Sequence, residues 1–311
     1  MRYPPQPDSI QWAMLLGAGF SKWAADLPLA SDLFDFAIEP FGPRDRRKLQ
    51  SVIEAKGSWD AWHPGGHPEQ FVGWAMDQAG EVGEAVMWYI THRLTIPFVH
   101  YEFHAGRTRR HVLGINDPRK WRRPGVTRAR QWLTPWLPKL AGVITTNYDL
   151  LVEYALGTRG FNYGYTGEVL SGRGHYPVSQ WRNPVVLRGA APLSKVHGSI
   201  SWEAGRRNSD GRGAIHGRAP IVAPAHEKTP PASLAGEWAL AGRILAESRA
   251  LIVFGFAFNP YDEAFGQHLR QFGKGIEHVT WIDKAPQLER AEAIFPSARI
   301  EVVAPPECVG L

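Results

Sequence analysis

One cysteine, Cys308, stands in the 311 residues of this chain. A single thiol excludes a disulfide framework and a zinc site built on cysteine pairs. It makes a reducing cytoplasm the expected setting. No apolar run approaches the roughly 20 residues that a spanning helix needs, and the opening MRYPPQPDSI lacks the apolar core of a secretion signal. A soluble protein without a membrane span is therefore expected. Twelve histidines are present, but none sits in HExxH spacing, and His92, His100 and His104 are irregularly placed. No metal is expected. No internal repeat is visible. Charge of one sign is only slightly in excess, with 35 Lys and Arg against 30 Asp and Glu, a net +5 and a pI of about 9.3. That favours anionic ligands without marking a nucleic-acid binder.

What is present is a globular composition, 44% hydrophobic and 21% charged. The length admits one large α/β domain with insertions or two smaller domains. Apolar runs that read as strands lie at 11–16, 141–146, 193–196, 251–256, 278–282 and 299–303, with a short one at Pro220–Ala223. Helical spacing lies between them: residues 20–38 with a break near Pro28, Leu234–Ser248, and a segment to about Phe272 opened by Asn259-Pro260-Tyr261-Asp262. Residues 203–218 read as a polar loop. Apolar strands alternating with helices predict an α/β fold, a Rossmann-like parallel sheet with helices on both faces. The chain is read as one domain, 1–311, with a Trp-rich helical insertion over 40–135 containing no sheet and a second, smaller insertion over 157–190.

The polar residues of interest fall at strand ends, where ligands of such sheets bind. Gly17-Ala18-Gly19 and Ser21 follow the first strand, a loop that lets backbone approach a phosphate at a helix N-terminus, or that simply makes a tight turn. The third glycine of a dehydrogenase fingerprint is missing. Thr146, Asn147 and Asp149 follow the next strand; the Asn can hold a ribose hydroxyl or water and the Asp a carboxamide, or both can be turn and cap residues. His197 ends a third strand, as a general base or as a structural histidine. Gly255 and Phe256 end a fourth. Asp283 ends a fifth, where an acid takes ribose hydroxyls or caps a helix. Together they describe one crevice. Outside it, residues 107–130 carry nine Arg or Lys and one acid, with Trp121 among them. That segment fits a nucleic-acid backbone, an acidic partner, or a solvated basic face.

Read in order, these stretches resemble the sirtuin superfamily. GAGFSK followed by Leu27-Pro28 is similar to its nucleotide loop, TTNYD to its Thr-Gln-Asn-Ile-Asp motif, and KVHGSI to its catalytic His-Gly. LIVFGFAF is similar to its Gly-Thr-Ser strand and WIDKA to its adenosine-ribose strand end. IVAPAHEK, Trp238 and GFAFNPYD extend the resemblance to prokaryotic sirtuin-like proteins of anti-phage defence. The matching stretches run from 15 to 283; the inserts between them match nothing.

The departures bear on activity. Deacylases of the family carry Cys-x-x-Cys zinc knuckles, which one cysteine cannot supply. Leu29-Ala30-Ser31 replaces an acid-Phe-Arg, Thr146 replaces a Gln, and Ala257 replaces a Ser. The resemblance therefore implies an NAD glycohydrolase, an NAD-depleting effector that releases nicotinamide and ADP-ribose. Asn147, His197 and Asp149 would be catalytic, and Gly17, Ala18, Gly19, Ser21, Pro28, Thr146, Gly255, Phe256 and Asp283 would bind NAD as substrate. Asn147 would hold the ribose and attacking water, His197 would take a proton, and Asp149 would orient the carboxamide. A homo-oligomer or a partner defence protein is implied as the trigger. A non-catalytic NAD or ADP-ribose module, an NAD-dependent deacylase and a nucleic-acid-associated effector are the alternative functions.

Overall fold

Trp12–Leu16 form β1, with all five residues buried. A strand buried along its whole length needs cover on both faces, and that requirement shapes the molecule. The computed structural model describes residues 11–36, 38, 43–78, 81–104, 107–113, 117–157, 160–163, 190–200, 234–258 and 262–307. Strands β4 (Leu140–Thr145), β5 (Phe161–Asn162), β6 (Ala191–Lys195), β7 (Ala250–Phe254), β8 (His278–Ile282) and β9 (Arg299–Val303) join β1 in a seven-stranded sheet of order β5-β6-β4-β1-β7-β8-β9. Every pairing in it is parallel. This is the Rossmann-like α/β fold expected from the sequence. The two-residue β5 is an addition to that expectation.

The helices are α1 (Ala18–Ala25), α2 (Pro43–Trp62), α3 (Pro68–Asp77), α4 (Glu81–Thr95), α5 (Pro124–Leu133), α6 (Leu151–Leu156), α7 (Ala235–Ala246), α8 (Glu263–Phe272) and α9 (Leu288–Ile294). α5 packs on α1 and α6, while α7 lies over β4 and β6 and packs on α8. Phe20, Trp23, Trp132 and Phe254 meet ring to ring and lock α1 and α5 to the end of β7. α4 packs on α2 and α3, and Phe34 ties that group to the segment after α1 by stacking on Tyr89, whose hydroxyl donates to the Leu33 carbonyl at 2.8 Å.

Three expectations are corrected. The residues 20–38 read as helical break near Pro28 as expected, α1 ending at Ala25 where Asp26 turns left-handed (φ 54°), but beyond the break only a 3-10 turn at Ala30–Asp32 follows and the helix does not resume. The segment 40–135 holds α2 to α5, but also an antiparallel hairpin of β2 (Val99–His104) and β3 (Arg107–Val112). Its first strand alternates Val99, Tyr101 and Phe103 with His100, Glu102 and His104, the period of a strand. The helix expected to open at Asn259 starts at Glu263, with Asp262 as its N-cap. Asn259–Tyr261, the strand Pro220–Ala223, the loop 203–218, the IVAPAHEK stretch, Cys308 and residues 158–159 and 164–189 of the second insertion lie outside the described residues.

The strand order reverses between β1 and β7, and the two strand ends touch there through backbone. The Gly17 amide donates to the Phe254 carbonyl and the Gly19 amide to the Gly255 carbonyl, both at 2.9 Å. A Cβ on Gly17 would stand 2.3 Å from the Gly255 oxygen, and one on Gly255 (φ +62°) 2.4 Å from the Gly19 backbone. Gly255→Ala is therefore expected to destabilise the fold by at least about 1–3 kcal/mol, the cost of a strained φ alone. Gly57→Ala in α2, where a Cβ meets nothing within 4 Å, is expected to be neutral or stabilising by roughly 0.5–1 kcal/mol. Urea melts of the two variants check this, and equal midpoints would contradict it.

Candidate functional site

The parallel register brings the residues that follow β1, β4, β6, β7 and β8 to one edge of the sheet. Gly17, Gly19 and Gly255 are in mutual contact there, as a seat for α1. The amides of Gly17 and Gly19 are spent inside the protein, so the outward part of this loop is the exposed Ala18 at the start of α1.

Asn147 is fixed by what surrounds it. The Thr146 amide prolongs the β4–β1 ladder to the Leu16 carbonyl at 3.2 Å. Thr145 Oγ1 donates to the same carbonyl at 2.9 Å and accepts from the Asn147 amide at 3.1 Å. The Asn147 Nδ2 hydrogens go to the Gly17 carbonyl at 2.8 Å and to Ser21 Oγ at 3.0 Å. Ser21 Oγ donates in turn to Asp149 Oδ2 at 2.8 Å, and Asp149 Oδ1 accepts from the Leu151 amide at 2.9 Å. Asn147, Ser21 and Asp149 are all buried. With both of its donors held, the Asn147 side chain has its carbonyl, Oδ1, as the atom to meet a ligand hydroxyl or water. Both Asp149 oxygens are engaged in holding Ser21 and the start of α6.

His197 follows β6 in a turn closed by Gly198 (φ +85°), whose amide donates to the Lys195 carbonyl at 2.8 Å. Trp238 Nε1 donates to the Val196 carbonyl at 2.9 Å and pins that turn to α7. The imidazole is buried, with its Nε2 3.3 Å from Asp262 Oδ1. The two atoms are within ion-pair distance, a pair that forms when the ring is protonated, and no hydrogen bond joins them. The Tyr148 ring lies 6.3 Å away and the Phe265 ring 6.2 Å. The Tyr148 carbonyl accepts from the Ile200 amide at 3.0 Å, which joins the His197 turn to the Asn147 loop. Burial pushes the Tyr148 hydroxyl well above its ordinary pKa, and the carboxylates of Glu69 and Asp262 push it further the same way. Glu69 belongs to the first turn of α3, which His67 and Gln70 cap reciprocally. A carboxylate from the helices between β1 and β4 thus acts on the Tyr148 hydroxyl.

A buried charge network supports both loops from below. Lys195 Nζ lies 3.0 Å from Glu153 Oε1 and donates to the Asp149 carbonyl. Tyr163 donates to the same Glu153 oxygen at 2.7 Å. The Lys195 amide donates to Glu237 Oε2 at 2.5 Å, and Ser194 Oγ donates to the Glu237 carbonyl at 2.7 Å. Sequence reasoning passed over Glu69, Glu153, Lys195, Glu237 and Asp262 as site residues. Lys195 and Glu153 lie next to motif residues in KVHGS and TTNYDLLVE, and that proximity was their signal.

The remaining expected residues are more dispersed. Asp283 Oδ1 accepts from the Ala285 amide at 2.9 Å in a turn, and the Gly255 amide bonds the Ile282 carbonyl at 3.0 Å just before it. Phe256 is buried edge-on against Phe258 and Phe265, in the core beneath the crevice. In the basic segment, Lys120 Nζ and the Arg130 guanidinium stand 4.3 and 4.2 Å from the Trp121 ring, so the ring expected to stack on a base meets the chain's own cations. Burial and Arg130 lower the Lys120 pKa to about 8. Among the described residues no three His, Cys, Asp or Glu stand as a group that could hold a metal. No described helix is long and apolar enough to cross a membrane.

No family model matches the chain, and no curated protein matches it. Among solved structures it is similar to a Sir2 homologue in complex with NAD, at 14% identity and a TM-score of 0.40, over 94% of this chain and 84% of that one. A mutant Sir2 homologue with ADP-ribose gives 15% identity and a TM-score of 0.41, over 94% and 86%. A structure described as bearing on the mechanism and regulation of Sir2 enzymes gives 14% and 0.40, over 94% and 87%. TM-scores of this size carry no weight for function, and the fold assignment stands on the strand order itself.

Removing one member of a buried ion pair leaves the other charge uncompensated, at a cost of about 3–5 kcal/mol. Lys195→Met is expected to lose stability on that scale, and Lys195→Met/Glu153→Gln to recover part of it. Equilibrium denaturation of the two single variants and the double variant measures the coupling; strictly additive losses would contradict it.

Proposed function

We propose that this chain is a sirtuin-like NAD glycohydrolase. The observation that carries the reading is the fixed amide of Asn147. Both Nδ2 hydrogens are bound to Gly17 and Ser21, which leaves Oδ1 as the side-chain acceptor for a ligand hydroxyl or water. Resemblance to the sirtuin motifs agrees with that use of the residue.

In this reading NAD lies across the carboxyl ends of the strands. Its pyrophosphate sits at the exposed start of α1, where the helix dipole favours anions. Asp283 takes the adenosine ribose with its second carboxylate oxygen. Asn147 Oδ1 accepts from a hydroxyl of the nicotinamide ribose or from water. The bond between nicotinamide and ribose breaks, and its electron pair leaves with the nicotinamide. Water adds to the ribosyl cation and loses a proton, giving ADP-ribose. His197 is the general base, acting on a ribose hydroxyl or on that water. Asp149 acts through Ser21, holding Asn147 in the orientation described. The carboxylates of Glu69 and Asp262, both close enough to Tyr148 to raise its pKa, give the site a negative field that suits the cationic nicotinamide and ribosyl groups. We extend the reading to an NAD-depleting effector of prokaryotic anti-phage defence, held in check until self-assembly or a partner protein releases it.

Purified protein incubated with NAD is expected to yield nicotinamide and ADP-ribose in equal amounts. Asn147→Ala and His197→Ala should each lower turnover by about 10²–10⁴-fold, with NAD binding changed far less. Asp283→Ala should chiefly raise KM. Product chromatography and binding calorimetry read the two effects separately. NAD that binds but persists, or a His197→Ala variant that turns over at the wild-type rate, would replace this reading with that of a binding module.

A further inference from the structure

We propose that Asp262 is a positioning residue for His197, an acidic partner that orients the imidazole and steadies it while it carries a proton. The kinetic part of this proposal rests on the glycohydrolase reading above; the structural part does not. Asp262 is the N-cap of α8, a position where an aspartate ordinarily accepts from the amides of the first turn. Its side chain makes no capping bond. It turns instead to His197, placing Oδ1 3.3 Å from Nε2, with 10% of the Asp262 side chain and 4% of the His197 side chain exposed. A carboxylate removed from water is costly unless a donor or cation faces it. The imidazole stands within ion-pair distance of it, a partner whenever the ring is protonated.

The pairing assigns the two ring nitrogens. A carboxylate beside Nε2 favours the tautomer with its hydrogen there, which leaves the lone pair on Nδ1. A proton taken from a ribose hydroxyl or water then arrives at Nδ1 and makes the ring a cation. Asp262 stabilises that cation without accepting the proton itself. Among the described residues, the other groups placed near the ring leave this role to Asp262. Phe265, one turn into α8, is apolar. Tyr148, after β4, is held neutral by burial and by the Glu69 and Asp262 carboxylates. Lys195, two residues before His197, is committed to Glu153 and the Asp149 carbonyl, and Asp149 to Ser21 and the Leu151 amide. Asp262 therefore lowers the cost of the base's charged state, and its removal should appear as a shift in the titration of His197.

The test is an NMR titration of the full chain with labelled histidine rings, the His197 signal being assigned by its loss in His197→Gln. Asp262→Asn is expected to lower the apparent pKa of His197 by about one unit or more, and Asp262→Glu to keep it near the wild-type value. Asp262→Ser, which removes the charge but retains a capping side chain, should behave as Asp262→Asn does and serves if that variant does not fold. With NAD as substrate, the acidic limb of kcat/KM against pH should move down with the titration in the Asn and Ser variants. Their kcat should fall on the order of 10²-fold, with KM little changed. A His197 titration that stays in place in the neutral variants overturns the proposal, whatever the enzyme does with NAD. Equal loss of activity in the Asn, Ser and Glu variants with an unmoved titration would mark Asp262 as structural and overturns it too. Should the wild-type chain leave NAD intact, the functional reading falls while the titration still decides the pair.

Discussion

The site depends on two backbones meeting where β1 and β7 end. Gly17 and Gly19 come so close to Gly255 that no side chain fits at any of the three. This contact sets the angle at which α1 leaves the sheet. α1 carries Ser21, Ser21 holds Asn147 and Asp149, and Asn147 bonds back to the Gly17 carbonyl. The loop after β4 is thus built on the loop after β1, which is seated on the loop after β7. The glycines serve this packing first. Any service to a ligand passes through the positions they impose on Ala18, Ser21 and Asn147.

Beneath the loops lies a layer of buried charge. Lys195, Glu153 and Glu237 have almost no exposure. A buried ion pair is a poor source of stability compared with apolar packing, so its presence here is better understood through geometry. Lys195 links the Asp149 carbonyl to Glu153 of α6, and its own amide links β6 to Glu237 of α7. The turns bearing Asn147 and His197 therefore share supports drawn from two helices and one strand. Such a network permits few arrangements, because Lys195 Nζ and Glu153 Oε1 each serve two partners at once.

The strands were legible because each is a short apolar run closed by Gly, Asn, His or Asp, and β8 and β9 fall on the residues expected. The break after α1 was marked by Pro28. Apolar residues continue at helical spacing as far as Ile38, and nothing in them shows that the helix fails to resume. The β2–β3 hairpin was hidden by the Trp-rich helices on either side of it, although its alternation is plain once the six residues are isolated. Within the candidate site, the clustering of the residues after the strand ends at one edge of the sheet could be read from the chain alone. Their partners could not. Glu69 lies in a stretch between β1 and β4 that matches no quoted motif, Glu237 looks like an ordinary first-turn acid of α7, and Asp262, the last residue of GFAFNPYD, reads as an acid in the first turn of a helix capped by Asn259. A sequence shows that an aspartate can stand at the start of a helix; only the fold shows that this one makes no cap bond and lies 3.3 Å from His197.

The order in which the sheet is threaded has a consequence for synthesis. β1 lies in the centre of the sheet, yet Trp12 pairs with Leu140 on one side and Ala250 on the other. As the chain leaves the ribosome, β1 emerges early and waits, apolar and unpaired on one edge, until β7 follows. Contacts so distant in sequence close slowly, and strands that wait for them are prone to misassembly. The same delay governs when the crevice exists. Gly255 must arrive before the glycine loop has its seat, and Asp262 and Asp283 come later still. A nascent chain therefore carries the motifs of the candidate site without their arrangement, and the strand ends come together only when synthesis of the sheet is nearly complete.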